Sequence, residues 1–366
     1  MTPGRYHRSM SSSTQLPDRH RTAGAHFDRL AGRDVPASFG DFDAEYRALS
    51  AGVAILDRSH MGRIVASGSD ALDLINRFST NETVGLADGD VVVTVITSNI
   101  GRVMELITVV RRSATESMVM TGPGAEETVI DWLDRYNFGE DCELSVVTDD
   151  SAQITISGPG AAGLGVPLPE TGRVIDTEIE GVSVEILRPA NPSLDSFEVL
   201  VDNVELAGEV WDALVSAGAT PAGEEAFNVF RVERGLPAPQ SELSDRVNPL
   251  EAGLEPYVSF TKGCYMGQEV IARLDTYDKL QRRLVGLLGP GDPGSEAGTH
   301  LKTGSPLRTG DRVVGQVTSA VTSPALGRAI ALAYIRKGHT EPGTTLESDQ
   351  GPVEVVGLPF TAVTAG

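Results

Sequence analysis

Lys262-Gly263-Cys264-Tyr265-Met266-Gly267-Gln268-Glu269, closed by Ala272-Arg273, sets a cation, a thiol, a phenol, an amide, a carboxylate and two glycines side by side. Neither the helical nor the strand period of apolar residues runs through it, so it reads as a loop with work to do rather than a core element. Gly263 and Gly267 permit backbone conformations that a Cβ resists, which lets a tight turn aim the side chains between them. From Gln268 to Ala272 the residues suit a helix. The loop is therefore expected at a helix start, where free amides favour an anion or a thiolate.

The same eight positions resemble the signature of the YgfZ branch of the folate-binding YgfZ/GcvT family, K-G-C-Y/F-x-G-Q-E followed by A-R. The resemblance extends from about Phe27 to the C-terminus and is weakest near 171–220. It implies an α+β, GcvT/YgfZ-like folate-binding body followed by a small C-terminal β-barrel. Its sister group is the glycine-cleavage T-protein, an aminomethyltransferase. The expected organisation is a disordered tail over 1–25, the body over 26–280 and the barrel over 281–366. Met10 offers an alternative start.

The resemblance also distributes roles. Arg231-Val-Glu233-Arg-Gly235-Leu-Pro237 matches R-x-E-x-G-x-P, which puts Glu233 on the carboxylate that pairs with the pterin ring in T-proteins. A carboxylate suits that task because it accepts two parallel hydrogen bonds from a 2-amino-pyrimidinone edge. The alternative is a helix-surface Glu paired with Arg231 or Arg234. Glu251, in Asn248-Pro-Leu-Glu251, is a further candidate for the pocket lining. Tyr265, Gly267, Gln268, Glu269 and Arg273 complete the expected cofactor-binding set, with Cys264 and Lys262 as the reactive pair. Lys262 and a helix N-terminus are expected to raise the thiolate fraction of Cys264.

Gly101-Arg102-Val-Met104-Glu105-Leu106 stands where the T-protein tract resembles G-G-I-x-D-D-L, one acid of which supports aminomethyl transfer to tetrahydrofolate. Met104-Glu105 replaces the acidic pair. Methionine cannot take a proton, and Glu is one methylene longer than Asp, which matters where geometry is sensitive at about 1 Å. The leading expectation is thus a folate-dependent accessory protein for iron–sulfur cluster assembly or repair, without aminomethyltransferase turnover. Its partners would be tetrahydrofolate and iron–sulfur client or assembly proteins. The alternative is a tetrahydrofolate-dependent aminomethyltransferase with Glu105 as the acid, and a third reading is a folate sensor without chemistry.

Composition narrows the classes. The chain has 366 residues, a formal charge of −21 and only four lysines, Lys262, Lys279, Lys302 and Lys337, among 30 basic residues. Acid excess with scarce lysine fits a halophilic protein, since in molar salt the Debye length is about 3 Å and carboxylate repulsion is screened. General nucleic-acid binding needs basic patches and is not expected. No apolar run reaches about 18 residues, so no transmembrane helix is expected. Two cysteines, Cys142 and Cys264, are too few for a disulfide framework or a four-cysteine cluster site, and a reduced, cytoplasmic setting fits. No metal site is expected.

Along the chain, four strand–turn–helix units are expected at 64–75, 118–133, 154–164 and 199–214, with a hairpin at 91–112 and a helix over 222–234. Asp57 and Ser59, in the tract Asp57-Arg-Ser59-His60-Met-Gly62, either satisfy turn amides or face a ligand. His60 reads as structural. Gly158-Pro-Gly160-Ala-Ala-Gly163 matches a dinucleotide fingerprint, but Gly165, Pro167 and Pro169 stop the helix such a site needs. Tyr277, Lys279, Arg282 and Arg283 form a basic island that either lies solvated or holds the glutamate tail of a folate. Short apolar runs from Leu284 onward read as a closed barrel.

Overall fold

The computed structural model describes residues 16–191, 194–277, 279–290 and 301–360. Among the described residues four β-sheets share the chain, the smallest being the hairpin of His26–Leu30 and Arg33–Ser38. One sheet has six strands in the order Arg173–Ile179, Val182–Arg188, Ser196–Val201, Ala152–Ser157, Ala54–Asp57 and Thr220–Pro221. Its pairs are antiparallel except the last, where Thr220 and Pro221 run parallel to Ala54 and Ile55. The second sheet has five strands, ordered Val91–Thr97, Val103–Ser113, Glu116–Pro123, Met61–Ser67 and Glu143–Val146. The chain passes from the first sheet to the second between Asp57 and Met61, and that short turn lies at the heart of the site described below.

All four strand–turn–helix units are present: Met61–Ser67 with helix Ala71–Phe78, Glu116–Pro123 with Glu126–Asp134, Ala152–Ser157 with the short 3-10 turn Ala161–Leu164, and Ser196–Val201 with Ala207–Ser216. The stunted third unit explains its glycines. A Cβ on Gly158 would lie 2.6 Å from the Gly52 carbonyl oxygen and 2.8 Å from that of Ala48, so the glycine serves close packing against the end of helix Phe42–Ala51. The expected hairpin forms over Val91–Thr97 and Val103–Ser113, with the register shifted between Ile96 and Thr97.

The C-terminal part closes into a six-stranded barrel: Arg282–Leu288, Arg328–Arg336, Arg312–Ser323, Pro306–Thr309, Thr345–Ser348 and Gly351–Val356, which returns to pair with the first. Leu287, Leu307, Val314, Val317, Ala331, Ala333, Ile335 and Val355 fill it, each at most 1% exposed. Sequence reading found five of these strands and missed Thr345–Ser348, whose Thr-Leu-Glu-Ser offers a single apolar residue. The α+β body with a small C-terminal barrel is the architecture expected.

The N-terminal expectation needs a correction. Residues 1–15 lie outside the described residues, but Leu16–Thr22 is a packed helix rather than part of a disordered tail. Leu16 and His20 are buried on its inner face, and His20 Nε2 lies 2.8 Å from Asp57 Oδ2. The ring of His20 also meets Trp211 edge-on at 4.5 Å. A polar sequence hides this because much of the anchoring is polar: His20 hydrogen-bonds Asp57, and Arg19 reaches Asp212 and the Gly208 carbonyl, beside the one buried leucine. Among the described residues, no helix is long and apolar enough to cross a membrane.

Candidate active site

Helix Glu224–Glu233 carries two faces. Ala226, Phe230 and Val232 are buried against the body and barrel. Glu224, Phe227, Asn228 and Arg231 recur at i, i+3, i+4 and i+7 and therefore share the other face. That face meets the Asp57–Met61 turn. Arg58 Nη1 is ion-paired with Glu224 Oε1, and its guanidinium lies 4.4 Å above the Phe227 ring. His60 Nε2 is 3.8 Å from the same Glu224 oxygen. Burial, and then the Arg58 charge, push the His60 pKa down to about 4, so this imidazole is neutral and structural, as expected. Farther along, Arg231 donates to Asn228 Oδ1 (2.9 Å), Glu242 Oε2 (3.1 Å) and Ser319 Oγ (2.8 Å), the last on a barrel strand.

Two buried carboxyl groups, Glu105 and Glu198, have no cation in hydrogen-bond contact. Glu105, near the start of Val103–Ser113, accepts from the Leu106 amide at 3.1 Å and the Gly122 amide at 3.3 Å. Burial raises its pKa to about 7, with the nearby Glu126 charge adding to the effect. Gly122 leaves it room, since a Cβ there would come within 3.0 Å of Glu105 Oε1 and 2.9 Å of Pro239. Glu198 is the second. Its Oε2 accepts from Thr155 Oγ1 (2.5 Å) and Gln153 Nε2 (2.9 Å), while Oε1 has no hydrogen-bond partner among the described residues. Burial raises its pKa against the pull of those two bonds and of Arg58. Beside it, Gln153 Oε1 and Ser157 Oγ are buried without partners. A buried carboxyl among orphaned polar atoms is the kind of setting a polar ligand completes.

The residues singled out in the sequence fall in three places. Glu105 lies beside Gly122, within reach of the Glu126 charge, with no hydrogen bond or ion pair among the described residues to Arg58, Glu198 or Glu224. Glu233 is 4% exposed, and both its oxygens are occupied: Tyr46 Oη donates to Oε2 at 2.7 Å, and Ser323 Oγ donates to Oε1. It ties helix Phe42–Ala51 to the barrel, and the surface pairing with Arg231 or Arg234 does not form. Glu251 Oε2 holds Arg102 (3.2 Å), Arg282 (3.3 Å) and the Asn248 amide (3.2 Å).

The Lys262–Glu269 loop does precede a helix, Gln268–Thr276, and packs on the Ser98–Arg102 turn. Its lysine does not serve the thiol as expected. Lys262 Nζ is bound to the Asn76 (2.8 Å), Ser79 (3.0 Å) and Asn81 (2.7 Å) carbonyls and to Asn76 Oδ1 (2.7 Å), pinning the 76–81 segment. Burial lowers its pKa to about 8. Tyr265 is buried among Leu250, Val258, Ile271 and Leu280, so its phenol is core, with its pKa pushed up to about 12 by burial. Gln268 Nε2 reaches the Lys262 carbonyl at 3.4 Å. Cys264, Glu269 and Arg273 are exposed. Among the described residues no hydrogen bond or ion pair joins this loop to Glu105, Glu198 or Glu233. Two signals could have revealed the seam in the sequence: the polar stripe at 224, 227, 228 and 231, and a lone Glu198 in the apolar strand Ser-Phe-Glu-Val-Leu-Val. Among the described residues no cluster of His, Cys, Asp or Glu could hold a metal ion.

Residues 16–262 match the GCVT N-terminal domain, and residues 282–361 match the glycine cleavage T-protein C-terminal barrel domain. Among similar proteins, an aminomethyltransferase of Streptomyces avermitilis is 31% identical over 366 residues, covering 95% of this chain and 96% of its own. One from Saccharopolyspora erythraea is 31% identical, covering 96% of this chain and 99% of its own. The crystal structure of the glycine cleavage system aminomethyltransferase T from Bartonella henselae superposes with a TM-score of 0.82 at 21% identity, covering 94% of this chain and 96% of that one. At that identity the likeness is one of fold.

Proposed function

The chain belongs to the glycine cleavage T-protein family, and from that premise we propose that it binds a tetrahydrofolate in the polar seam and transfers a one-carbon unit as an aminomethyltransferase-type enzyme. Full-length similarity to aminomethyltransferases supports this over a purely accessory role. The carrying observation is Glu105. Burial holds its carboxyl at a pKa of about 7, where a group both gives and takes a proton at neutral pH. In that role Glu105 takes the proton of the attacking pterin nitrogen as that nitrogen bonds the donor's methylene carbon, and passes it to the amine that leaves as ammonia. The donor's sulfur leaves the same carbon as a thiol when the second folate nitrogen bonds it and gives up its proton. Met104 has become a packing residue against the core that includes Ile64, Ile75 and Ile107, so Glu105 alone carries the acid function of the tract.

The pterin edge is assigned to Glu198. Its free Oε1 and the unpartnered Gln153 Oε1 and Ser157 Oγ supply acceptors for a donor-rich heterocycle, whereas Glu233 would first have to give up Tyr46 or Ser323. Phe227 under Arg58 offers a planar surface beside it. The test is transfer from a lipoyl-bound aminomethyl donor to tetrahydrofolate, run beside calorimetric folate binding at the working salt. Binding with turnover supports the proposal, and binding without turnover rejects the transferase step.

The second reading, maintenance of iron–sulfur proteins by a YgfZ-branch member, is favoured by one feature. Cys264 lies exposed in the K-G-C-Y-x-G-Q-E loop, on the protein surface where a partner could reach it. Restoration of iron–sulfur enzyme activity in cells lacking the protein, by wild type but not by Cys264→Ser, tests it.

A further inference from the structure

We propose a second binding site, separate from the polar seam: the cleft between the 240–247 loop and the barrel takes a small ligand carrying two or more anionic groups. The cleft has a volume of about 620 Å³, within the range that small-molecule sites occupy. Arg246 from the loop and Arg282 and Arg336 from the barrel line it.

The two barrel arginines are the telling pair. Arg282 and Arg336 are cross-strand partners in antiparallel register, so they project side by side from one face of the sheet. Like charges directly opposite each other destabilise a sheet, and an acid-rich chain could easily have placed a carboxylate there. Arg282 is answered by Glu251 at 3.3 Å and rests 5.2 Å from the Tyr334 ring centroid. No hydrogen bond or ion pair among the described residues engages the Arg336 or Arg246 guanidinium. Arg47, Arg273 and Arg312 are likewise exposed without such a contact among the described residues, so what distinguishes Arg246 and Arg336 is that they converge with Arg282 on one cleft. The loop is also held in place, because the Arg246 carbonyl accepts from Arg102 (3.1 Å) and from Arg282.

The cleft is also lined by two acids, Glu242 and Asp245. Glu242 is ion-paired with Arg231, and Ser319 donates to its other oxygen at 2.6 Å. Asp245, exposed and without a hydrogen bond or ion pair among the described residues, lines the same cleft, where its charge opposes an anion. Long-range repulsion by the acidic body is screened at high salt, leaving the three guanidinium groups to act at contact distance. Because Arg246 belongs to the body and the other two to the barrel, a bound dianion bridges the two and stabilises their docking. Oligocarboxylates and phosphates share this chemistry.

The site is tested on the full chain in about 1 M KCl, where screening leaves only short-range contacts. Thermal unfolding is followed with pyrophosphate and, separately, with a tri-glutamate peptide, using acetate as the monoanion control. One of the two raises Tm in wild type with saturation, and whichever does so identifies the source class. Arg336→Gln weakens that response at least about tenfold, the factor expected for losing one charge-assisted pair. Without ligand the same variant is no less stable than wild type, because it relieves the Arg282–Arg336 repulsion. Asp245→Asn tightens binding. Tetrahydrofolate affinity stays unchanged in both variants, so failure here is distinguishable from failure of the folate assignment. No saturable shift with either ligand, an equal shift in Arg336→Gln, or loss of folate affinity in that variant overturns the proposal.

Discussion

Gly267 and Gly101 meet backbone to backbone: a Cβ on Gly267 would lie 2.8 Å from the Gly101 Cα and 2.5 Å from the Ser98 carbonyl oxygen. Both are in the left-handed region, at φ 84° and 68°. The two stretches that stand out most in the sequence, 98–105 and 262–269, are thus one packed unit. Thr97 Oγ1 seals it with a 2.6 Å bond to the Met266 carbonyl.

Gly267→Ala is therefore expected to destabilise the fold by about 2–4 kcal/mol, from left-handed strain plus overpacking against rigid backbone. Gly263, with no atom within 4 Å of a built Cβ, is the control. Its alanine variant is expected within about 0.5 kcal/mol of wild type. Urea unfolding at fixed salt measures both, and equal effects would remove the packing explanation of the signature glycines.

Glu198 and Glu233 make opposite predictions for folate. Glu198→Gln is expected to weaken tetrahydrofolate binding by about 1.5–3 kcal/mol, the worth of a charge-assisted hydrogen bond, with little change in stability. Glu233→Ala is expected to destabilise the fold by about 2–4 kcal/mol by orphaning Tyr46 and Ser323, while the remaining folded protein keeps its affinity. Calorimetry with parallel unfolding curves separates them. Folate binding lost in Glu233→Gln and intact in Glu198→Gln would reverse the assignment.

The cysteines should differ within one molecule. Burial and the neighbouring Asp134, Glu140 and Asp141 push the Cys142 pKa up to about 11, leaving almost no thiolate at neutral pH. Cys264 is exposed. Iodoacetamide labelling read by peptide mass spectrometry is expected to concentrate on Cys264, and equal labelling would contradict the accessibility described.

How much was legible follows from sequence distance. The barrel, the strand–turn–helix units and helix Glu224–Glu233 came from local periodicity. The loop at 262–269 drew the eye because its chemistry is contiguous, yet Lys262 and Tyr265 proved to be internal fastenings: one side chain can donate to several carbonyls, and a phenol can lie in a core. The seam was hidden for the opposite reason. Arg58, Glu198 and Glu224 are brought together by strands adjacent only after folding, such as Ala54–Asp57 beside Ala152–Ser157 beside Ser196–Val201. Glu105 stands on a strand of the other sheet. Lone polar residues in apolar strands carry that information weakly.

Stability against pH also depends on Glu105. Its folded pKa, about 7, lies above the ordinary 4.5, so the native state holds the proton more tightly than the unfolded chain. Its contribution is present below pH 4.5 and is lost as pH rises to about 7, amounting to about 1–3 kcal/mol after allowance for partial exposure. Glu105→Gln is expected to abolish that loss and to be the more stable protein at pH 8. Urea midpoints measured from pH 5 to pH 8 check this, and parallel profiles for the two proteins would contradict it.

Whether Glu105 is the acid of a tetrahydrofolate-dependent transfer is decided by the pH–rate profile of single-turnover aminomethyl transfer in wild type and Glu105→Gln. The expected result is a wild-type rate governed by an apparent pKa near 7, lowered about 10²–10⁴-fold in the variant with tetrahydrofolate affinity retained. An undiminished rate in Glu105→Gln, or no transfer at all by a folate-loaded wild-type protein, would contradict it.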